Sequence, residues 1–270
     1  MMNYSILQSV YKSDNPGYLR VSIESMLAQT MGSDDYVIVE DGPLTEELES
    51  VIAGFEQSHP EMKVVRLEAN VGLGRALNAG LEVCRNELVA RMDSDDISVP
   101  ERCERLVSCF EADSSLDIVG SHVREFVGTP ENVVGERRVP VDNESIHRYL
   151  RRRDPFNHPA VMFRKSKVLA CGSYGDYRKN QDTDLWFKLM GHGCKGANVD
   201  DYLLFFRFDE GTYRKRKSWA NTKTLLDIRW KAFKDGQCSF WDFCFVAGAQ
   251  TAIYLMPTGL QRFIYKHMLR

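Results

Sequence analysis

Three carboxylates stand within four residues at Asp93-Ser94-Asp95-Asp96, directly after the apolar run Leu88-Val89-Ala90-Arg91-Met92. Like charges this close repel one another. A folded chain keeps such a cluster when a cation sits among the acids or when each acid caps a backbone group. A hard divalent cation shared with a diphosphate is the usual tenant of one or two carboxylates at a strand end. The competing reading is a strand-end turn whose carboxylates cap the helix beginning near Pro100, a task that suits Asp96 better than Asp95.

Other polar residues punctuate the first half of the chain. Glu40-Asp41-Gly42 closes a second apolar run, with Gly42 and Pro43 suited to a turn. Gly72 and Gly74 precede Arg75 at the start of an amphipathic segment; close backbone approach, a helix N-terminus and a guanidinium together favour phosphate. Asp182 stands just before Leu185-Trp186-Phe187, where the start of a helix can present it.

The elements that position these residues alternate. Tyr4 to Val10, Asp35 to Glu40, Met62 to Leu67, Leu88 to Met92 and Asp117 to His122 read as strands. Between them, apolar residues recur at helical spacing from Leu19 to Leu27, Glu46 to about Gln57, Leu73 to Cys84 and Cys103 to Phe110. Such alternation predicts an α/β fold, a Rossmann-like, mostly parallel sheet flanked by helices. Ligands of these sheets bind beyond the carboxyl ends of the strands, where Ser9, Tyr11, Asp41 and Asp93 to Asp96 all fall. The second half is less regular: a loop or hairpin over Gly128 to Pro140, a basic helix from Asn143 to Arg153, a strand from Tyr202 to Phe208, and helix from Ser218 onward.

The 270 residues suit one large domain or two small ones sharing a core, and 43% hydrophobic with 27% charged residues is an ordinary globular composition. A net charge of -3 gives no electrostatic case for nucleic acid. Seven cysteines with no C-x-x-C pair argue against a disulfide framework or zinc site and fit a reducing compartment. No basic region followed by an apolar stretch opens the chain, so a cytoplasmic location is expected. Phe240 to Met256 is apolar but too short and too polar to span a membrane. Leu260 to Arg270 mixes aromatic, aliphatic and basic residues as a helix lying in an anionic membrane surface does.

Seven blocks in order give the chain a resemblance to family-2 glycosyltransferases. They are Ser5 to Tyr11, Ser25 to Thr30, Val37 to Gly42, Asn70 to Asn78, Arg91 to Asp96, Asn157 to Arg164, and Gln181 to Trp186. The resemblance covers about Tyr4 to Phe208. It implies a GT-A fold, a nucleoside-diphosphate-sugar donor (a UDP-sugar by analogy), a divalent metal such as Mn2+ or Mg2+, and inverting transfer, in a family common in bacterial surface-polysaccharide assembly. Two positions depart from its usual pattern: Glu40 precedes Asp41 where the family has Asp, and Gln181 precedes Asp182 where it has Glu. Each departure keeps the second acid.

The resemblance implies a role for each candidate. Asp95 ligates the metal, and Asp93 lies near the ribose or the metal. Asp41 accepts from the base, with Ser9 and Tyr11 as lesser contacts. Inversion requires a carboxylate on the side opposite the leaving diphosphate to take the acceptor's proton, and Asp182 is the expected base. His158 is a contact on the acceptor side of the cleft, and Trp186 is either core or an aromatic face that stacks on an acceptor sugar. The expected organisation is a GT-A domain over residues 1–215, with a nucleotide-sugar half to residue 100 and an acceptor half after it. Amphipathic helices over 216–270 would then associate with the inner face of the membrane. The runs Arg151 to Arg153 and Arg214 to Lys217 could meet anionic lipid or a saccharide acceptor linked to a lipid diphosphate. Two rival readings are a nucleotidyltransferase, which would want a glycine-rich basic loop where Ser9 to Asn15 stands, and a catalytically inactive sugar-nucleotide-binding protein at the membrane.

Overall fold

The computed structural model describes residues 2–208 and 218–256. The basic run at 214–217 and the segment 257–270 lie outside the described residues. Strands and helices alternate through the first half: β1 (Tyr4–Val10), α1 (Pro16–Leu27), β2 (Asp35–Glu40), α2 (Glu46–Ser58), β3 (Met62–Arg66), α3 (Leu73–Val83) and β4 (Leu88–Met92). Local chemistry sets their starts. The Asn15 side chain accepts from the Gly17 and Tyr18 amides with Pro16 in the first turn of α1, and Thr45 accepts from the Leu48 amide to cap α2.

The second half holds β5 (Ile97–Ser98), α4 (Arg102–Ala112), β6 (Ile118–Phe126), β7 (Val133–Arg137) and α5 (Asn143–Leu150). A 3-10 turn (His158–Ala160), β8 (Met162–Arg164), α6 (Lys165–Ala170), α7 (Gln181–Gly191) and β9 (Gly196–Arg207) follow, then α8 (Trp219–Lys234) and α9 (Phe240–Leu255). All strands among the described residues join one sheet in the order β3-β2-β1-β4-β8-β6-β9-β5, with β7 paired to β6. The four strands of the first half are parallel. β8 then runs antiparallel to both β4 and β6, while β6 and β9 are parallel, so the sheet is mixed.

Period-two alternation divides the strands between two cores. Tyr4, Ile6, Tyr36, Ile38, Leu88, Ala90 and Met92 meet α1, α2 and α4 on one face. Leu7, Val37, Val39 and Val89 meet α3 and α7 on the other, where Ile228 and Ala232 of α8 join the same cluster. By the same alternation Arg91 belongs to the α3 and α7 face. The register aligns Val10 with Glu40 and Gln8 with Met92, so the carboxyl ends of β1, β2 and β4 end together.

Two strand readings needed tertiary pairing. β9 begins six residues before the expected Tyr202, and the register shifts where Ser121 pairs Val199 but His122 pairs Tyr202. The bulge at Asp200 and Asp201 places two acids inside a strand, which hides it from hydrophobic periodicity. β5 is two residues long and exists by pairing with Leu204 and Phe205 of β9. The expected loop or hairpin over Gly128 to Pro140 is a hairpin, with β7 paired to β6.

Candidate active site at the strand ends

Asp93, Asp95 and Asp96 lie beyond β4 with carboxylate oxygens all within 4.8 Å of one another. The loop is held by its backbone: the Asp93 carbonyl accepts from Gln8 Nε2 at 3.0 Å and from Ser22 Oγ at 2.7 Å. The Ser94 hydroxyl donates to Asp14 at 2.7 Å, and the same Asp14 oxygen accepts from the Tyr11 amide at 3.1 Å. The loop after β1, carrying the exposed Tyr11, is thus tied to the acid cluster, with half-buried Ser9 at the end of β1 beside it.

The three acids differ in surroundings. Asp93 is ion-paired with Arg91. Asp96 is fully buried and accepts from the Arg207 amide at 2.8 Å, while its Oδ2 has no hydrogen-bond partner. It does not cap α4, whose N-cap residue is Glu101. Arg207 also donates through Nε to the Asp95 carbonyl at 2.8 Å and lies 3.8 Å over the Tyr18 ring, closing β9 against this loop. Asp95 alone of the three is exposed. The protein atoms around it still strip part of its carboxylate hydration, and with the like charges of Asp93 and Asp14 this raises its carboxyl to about 7. Burial and then the charges of Asp95 and Asp93 push Asp96 well above the ordinary range.

A crowded set of oxygen donors, with Asp95 and Asp96 raised in proton affinity and one buried oxygen orphaned, fits a hard divalent cation. Such an ion would supply the missing positive charge without soft or nitrogen ligands.

Asp41 lies beyond β2 and is 4% exposed. One carboxylate oxygen accepts from the Val71 amide at 2.7 Å; the other accepts from Asn70 Nδ2 at 2.9 Å and the Gly72 amide at 3.1 Å. Its charge therefore builds the turn that leads into α3, and any contact to a bound base would be made in addition. Gly42 beside it has φ +84, and an added Cβ would stand 2.5 Å from the Asn70 nitrogen. Gly72, with φ +94, is the N-cap of α3. Arg75 in the first turn is exposed and paired with Asp176, and Arg178 Nη1 donates to Asn70 Oδ1 at 2.7 Å. Two guanidinium groups thus stand beside the turn, the second from a loop far along the chain.

Asp182 occupies the first turn of α7, where one oxygen accepts from the Thr183 amide at 3.0 Å. Burial first, and then the charge of Asp154, raise its carboxyl to about 6. Asp154 accepts from Thr183 Oγ1 at 2.9 Å and lies 3.7 Å from Arg229 of α8. Gln181, at the departure from the usual pattern, is 7% exposed and packs its Cβ and Cγ beside Gly74. An acid there would be buried in the α3–α7 contact. Asp184 pairs with Lys188 at 2.7 Å.

Arg91 connects the two acid groups. Its side chain is 1% exposed, and its charge acts on Asp95, Asp96 and Asp182 alike. The Tyr174 hydroxyl feels Arg91, Asp182 and Asp93 together and meets His158 Nε2 at 2.9 Å. Burial and Arg91 hold His158 neutral, and its ring lies 5.8 Å from that of the fully buried Trp186. His158 is accordingly packed and hydrogen-bonded in the interior. Sequence reading passed over Arg91, Asp154, Tyr174, Arg207 and Arg229. Of these, only Arg91 carried a signal: a cation interrupting an apolar strand two residues before an acid.

The Glycosyl transferase family 2 model matches residues 5–172. The amylovoran biosynthesis glycosyltransferase AmsE of Erwinia amylovora is 36% identical over 263 residues, which is 97% of this chain and 98% of the relative. A UDP-Gal:alpha-D-GlcNAc-diphosphoundecaprenol beta-1,3-galactosyltransferase of Escherichia coli is 33% identical over 99% of this chain and 96% of its own length. Among solved structures, mannosyltransferase PcManGT from Pyrobaculum calidifontis, in complex with GDP-Man and Mn2+, superposes with a TM-score of 0.67 at 16% identity. The match covers 94% of this chain and 70% of that one. Residues 1–349 of TarS from S. aureus, in complex with UDP-GlcNAc, give 0.66 at 15% identity over 99% and 73%. The fold is that of the GT-A glycosyltransferases, and the chain belongs to glycosyltransferase family 2, as an enzyme of the surface-polysaccharide type.

Proposed function

We propose that the protein transfers a sugar, with inversion, from a UDP-sugar to a saccharide carried on a lipid diphosphate. The observation that carries the reading is that one buried guanidinium, Arg91, is ion-paired with Asp93 and stands near enough to act on Asp95, Asp96 and Asp182. The E. coli relative, named for a UDP-galactose donor and a diphosphoundecaprenol-linked acceptor, supports the choice of donor and acceptor.

In this reading Asp95, with Asp93 or the orphaned Asp96 oxygen, holds Mn2+ or Mg2+, whose charge offsets that of the leaving diphosphate. Ser9, Tyr11 and Asp41 border the nucleoside, Asp41 chiefly by holding the Asn70–Gly72 turn. Arg75 and Arg178 face the phosphates from that turn. Asp182 takes the proton of the acceptor hydroxyl as the oxygen attacks the anomeric carbon, and the C1–O bond to the diphosphate breaks on the opposite side. Its raised carboxyl suits a base working near neutral pH. Residues 1–215 perform the transfer, and 216–270 bring the enzyme to the inner face of the membrane, although no helix among the described residues is long and apolar enough to cross one.

Incubation with UDP-sugars, with Mn2+ or with chelator, and with or without a lipid-diphosphate saccharide, tests the reading. Metal-dependent release of UDP that rises with acceptor supports it. Release of pyrophosphate from a sugar phosphate and a nucleoside triphosphate, or no turnover at all, would overturn it.

A further inference from the structure

Helix α9 is built inside out. Its exposed positions are Phe240, Trp241, Phe245, Gly248, Ala252 and Leu255, the last five a stripe at helical spacing, without a charged or hydrogen-bonding group beyond the indole. Trp241 is 76% exposed, Phe245 58% and Leu255 71%. The one charged residue of the helix, Asp242, points inward instead: it is 6% exposed, closes a capping box with Ser239 and pairs with Arg152 at 2.6 Å. A surface helix in water has the opposite arrangement, and a contiguous apolar face of this kind marks an interaction site.

The edge of the stripe identifies what covers it. A cavity of about 450 Å³ opens beside Phe245, lined by Pro140, Ser145, Arg148, Tyr149, Arg152 and Arg153; Arg148 is paired with Glu144 at 2.5 Å, as Arg152 is with Asp242. The Arg152 guanidinium lies 4.9 Å over the Phe245 ring. Arg151 and Arg153 are exposed and have no ion-pair partner among the described residues. A second copy of the chain, packed face to face, would set this arginine rim against itself. The chain's own residues 257–270 carry Arg262, Lys266 and Arg270 and no acid, so they bring the same sign. An anionic lipid surface answers both features, taking aromatic and aliphatic side chains to the acyl boundary and arginines to the headgroups.

We propose that the Trp241–Leu255 stripe of α9, flanked by the arginines at and after the end of α5, is the face that docks on an anionic bilayer. The proposal names the surface by which the enzyme would reach a lipid-borne acceptor, and it stands on the stripe and the arginine rim independently of donor, metal or base.

The test is flotation of the full chain with vesicles of phosphatidylcholine, alone or with phosphatidylglycerol. The wild type is expected to float with the anionic vesicles, less so at high salt, and to stay behind with the neutral ones. A Trp241→Gln/Phe245→Gln variant is expected to lose flotation. An Arg151→Gln/Arg153→Gln variant is expected to bind about thirtyfold more weakly, at the usual contribution of a basic residue near an anionic surface. All four side chains are exposed, so both variants should melt with the wild type. Wild-type protein that never floats, or variants that float equally well, would overturn the proposal. So would a solution dimer that Trp241→Gln/Phe245→Gln dissociates, which would give the stripe to a second copy. UDP-sugar hydrolysis on the same samples without lipid reports separately on the transfer reading.

Discussion

Arg91 and Asp93, two residues apart at the end of β4, form an ion pair in which the guanidinium is 1% exposed and the carboxylate 30% exposed. Arg91 Nε and Nη1 have no hydrogen-bond partner. The pair leaves guanidinium nitrogens unbonded, and the charge acts also on Asp95, Asp96 and Asp182. Removing one member of a buried pair costs about 3–5 kcal/mol, and the partial exposure of Asp93 places this one toward the lower end. Arg91→Met is expected to lower the melting temperature by several degrees and to abolish transfer. Because Arg91 holds the Asp182 carboxyl down, Arg91→Lys, which keeps a charge in a different place, should fold and show the acidic limb of its pH–rate profile moved to higher pH. An unmoved limb in an active Arg91→Lys enzyme would separate Arg91 from Asp182.

Asp182→Asn should reduce transfer about a hundredfold to ten-thousandfold, the usual contribution of a positioned base. Donor binding, followed by thermal shift with UDP, should be retained. With its carboxyl near pH 6, the wild-type rate is expected to fall about tenfold per unit below that pH as the base is protonated. Loss of UDP binding in Asp182→Asn would move this residue to the donor side.

Asp95→Asn tests the cation site and its linkage to folding. The folded Asp95 carboxyl titrates near 7, above its unfolded value, so the folded state holds the proton more tightly. Its contribution to stability is fully present below about pH 4 and is lost as pH rises through about 7. The chelated protein should accordingly lose melting temperature from this group between those values. Mn2+ should restore it at pH 8 and do little at pH 5, where protons compete. Asp95→Asn should flatten the pH dependence and remove the Mn2+ shift, measured by differential scanning fluorimetry. A full Mn2+ shift in the variant would place the cation elsewhere.

Gly42→Ala probes the turn that Asp41 holds. The backbone is left-handed there, and the added methyl would enter the peptide between Ala69 and Asn70. Left-handed strain alone costs about 1–3 kcal/mol, and the clash adds to it. The variant should melt several degrees lower and bind UDP more weakly, because the Asn70–Gly72 turn and the start of α3 must shift. Wild-type UDP affinity would show that this turn does not touch the nucleotide.

How much the sequence alone determined follows from how local each signal was. β1, β2 and β4 were legible to the residue because fully buried strands are continuous apolar runs with polar ends. The helices α1 to α4 followed from apolar spacing. The acids at 93–96 were conspicuous because a charge cluster after such a run needs a compensating partner. The C-terminal helices were visible too, though not which of their faces would meet water.

Tertiary structure decided what depends on pairing between distant segments. The bulged β9, the two-residue β5 and the antiparallel insertion of β8 carry no periodic signal, since their hydrogen bonds go to strands tens of residues away. Arg229 could be seen as a partner of Asp154, and Arg207 as the residue that closes over Asp95, only once α8 and β9 were in place. The same holds for Asp41: its acidity was plain from the sequence, but not that the backbone at 71–72 occupies most of its carboxylate. Burial and charge interactions act through space, and a linear pattern records them only where chain neighbours are also spatial neighbours.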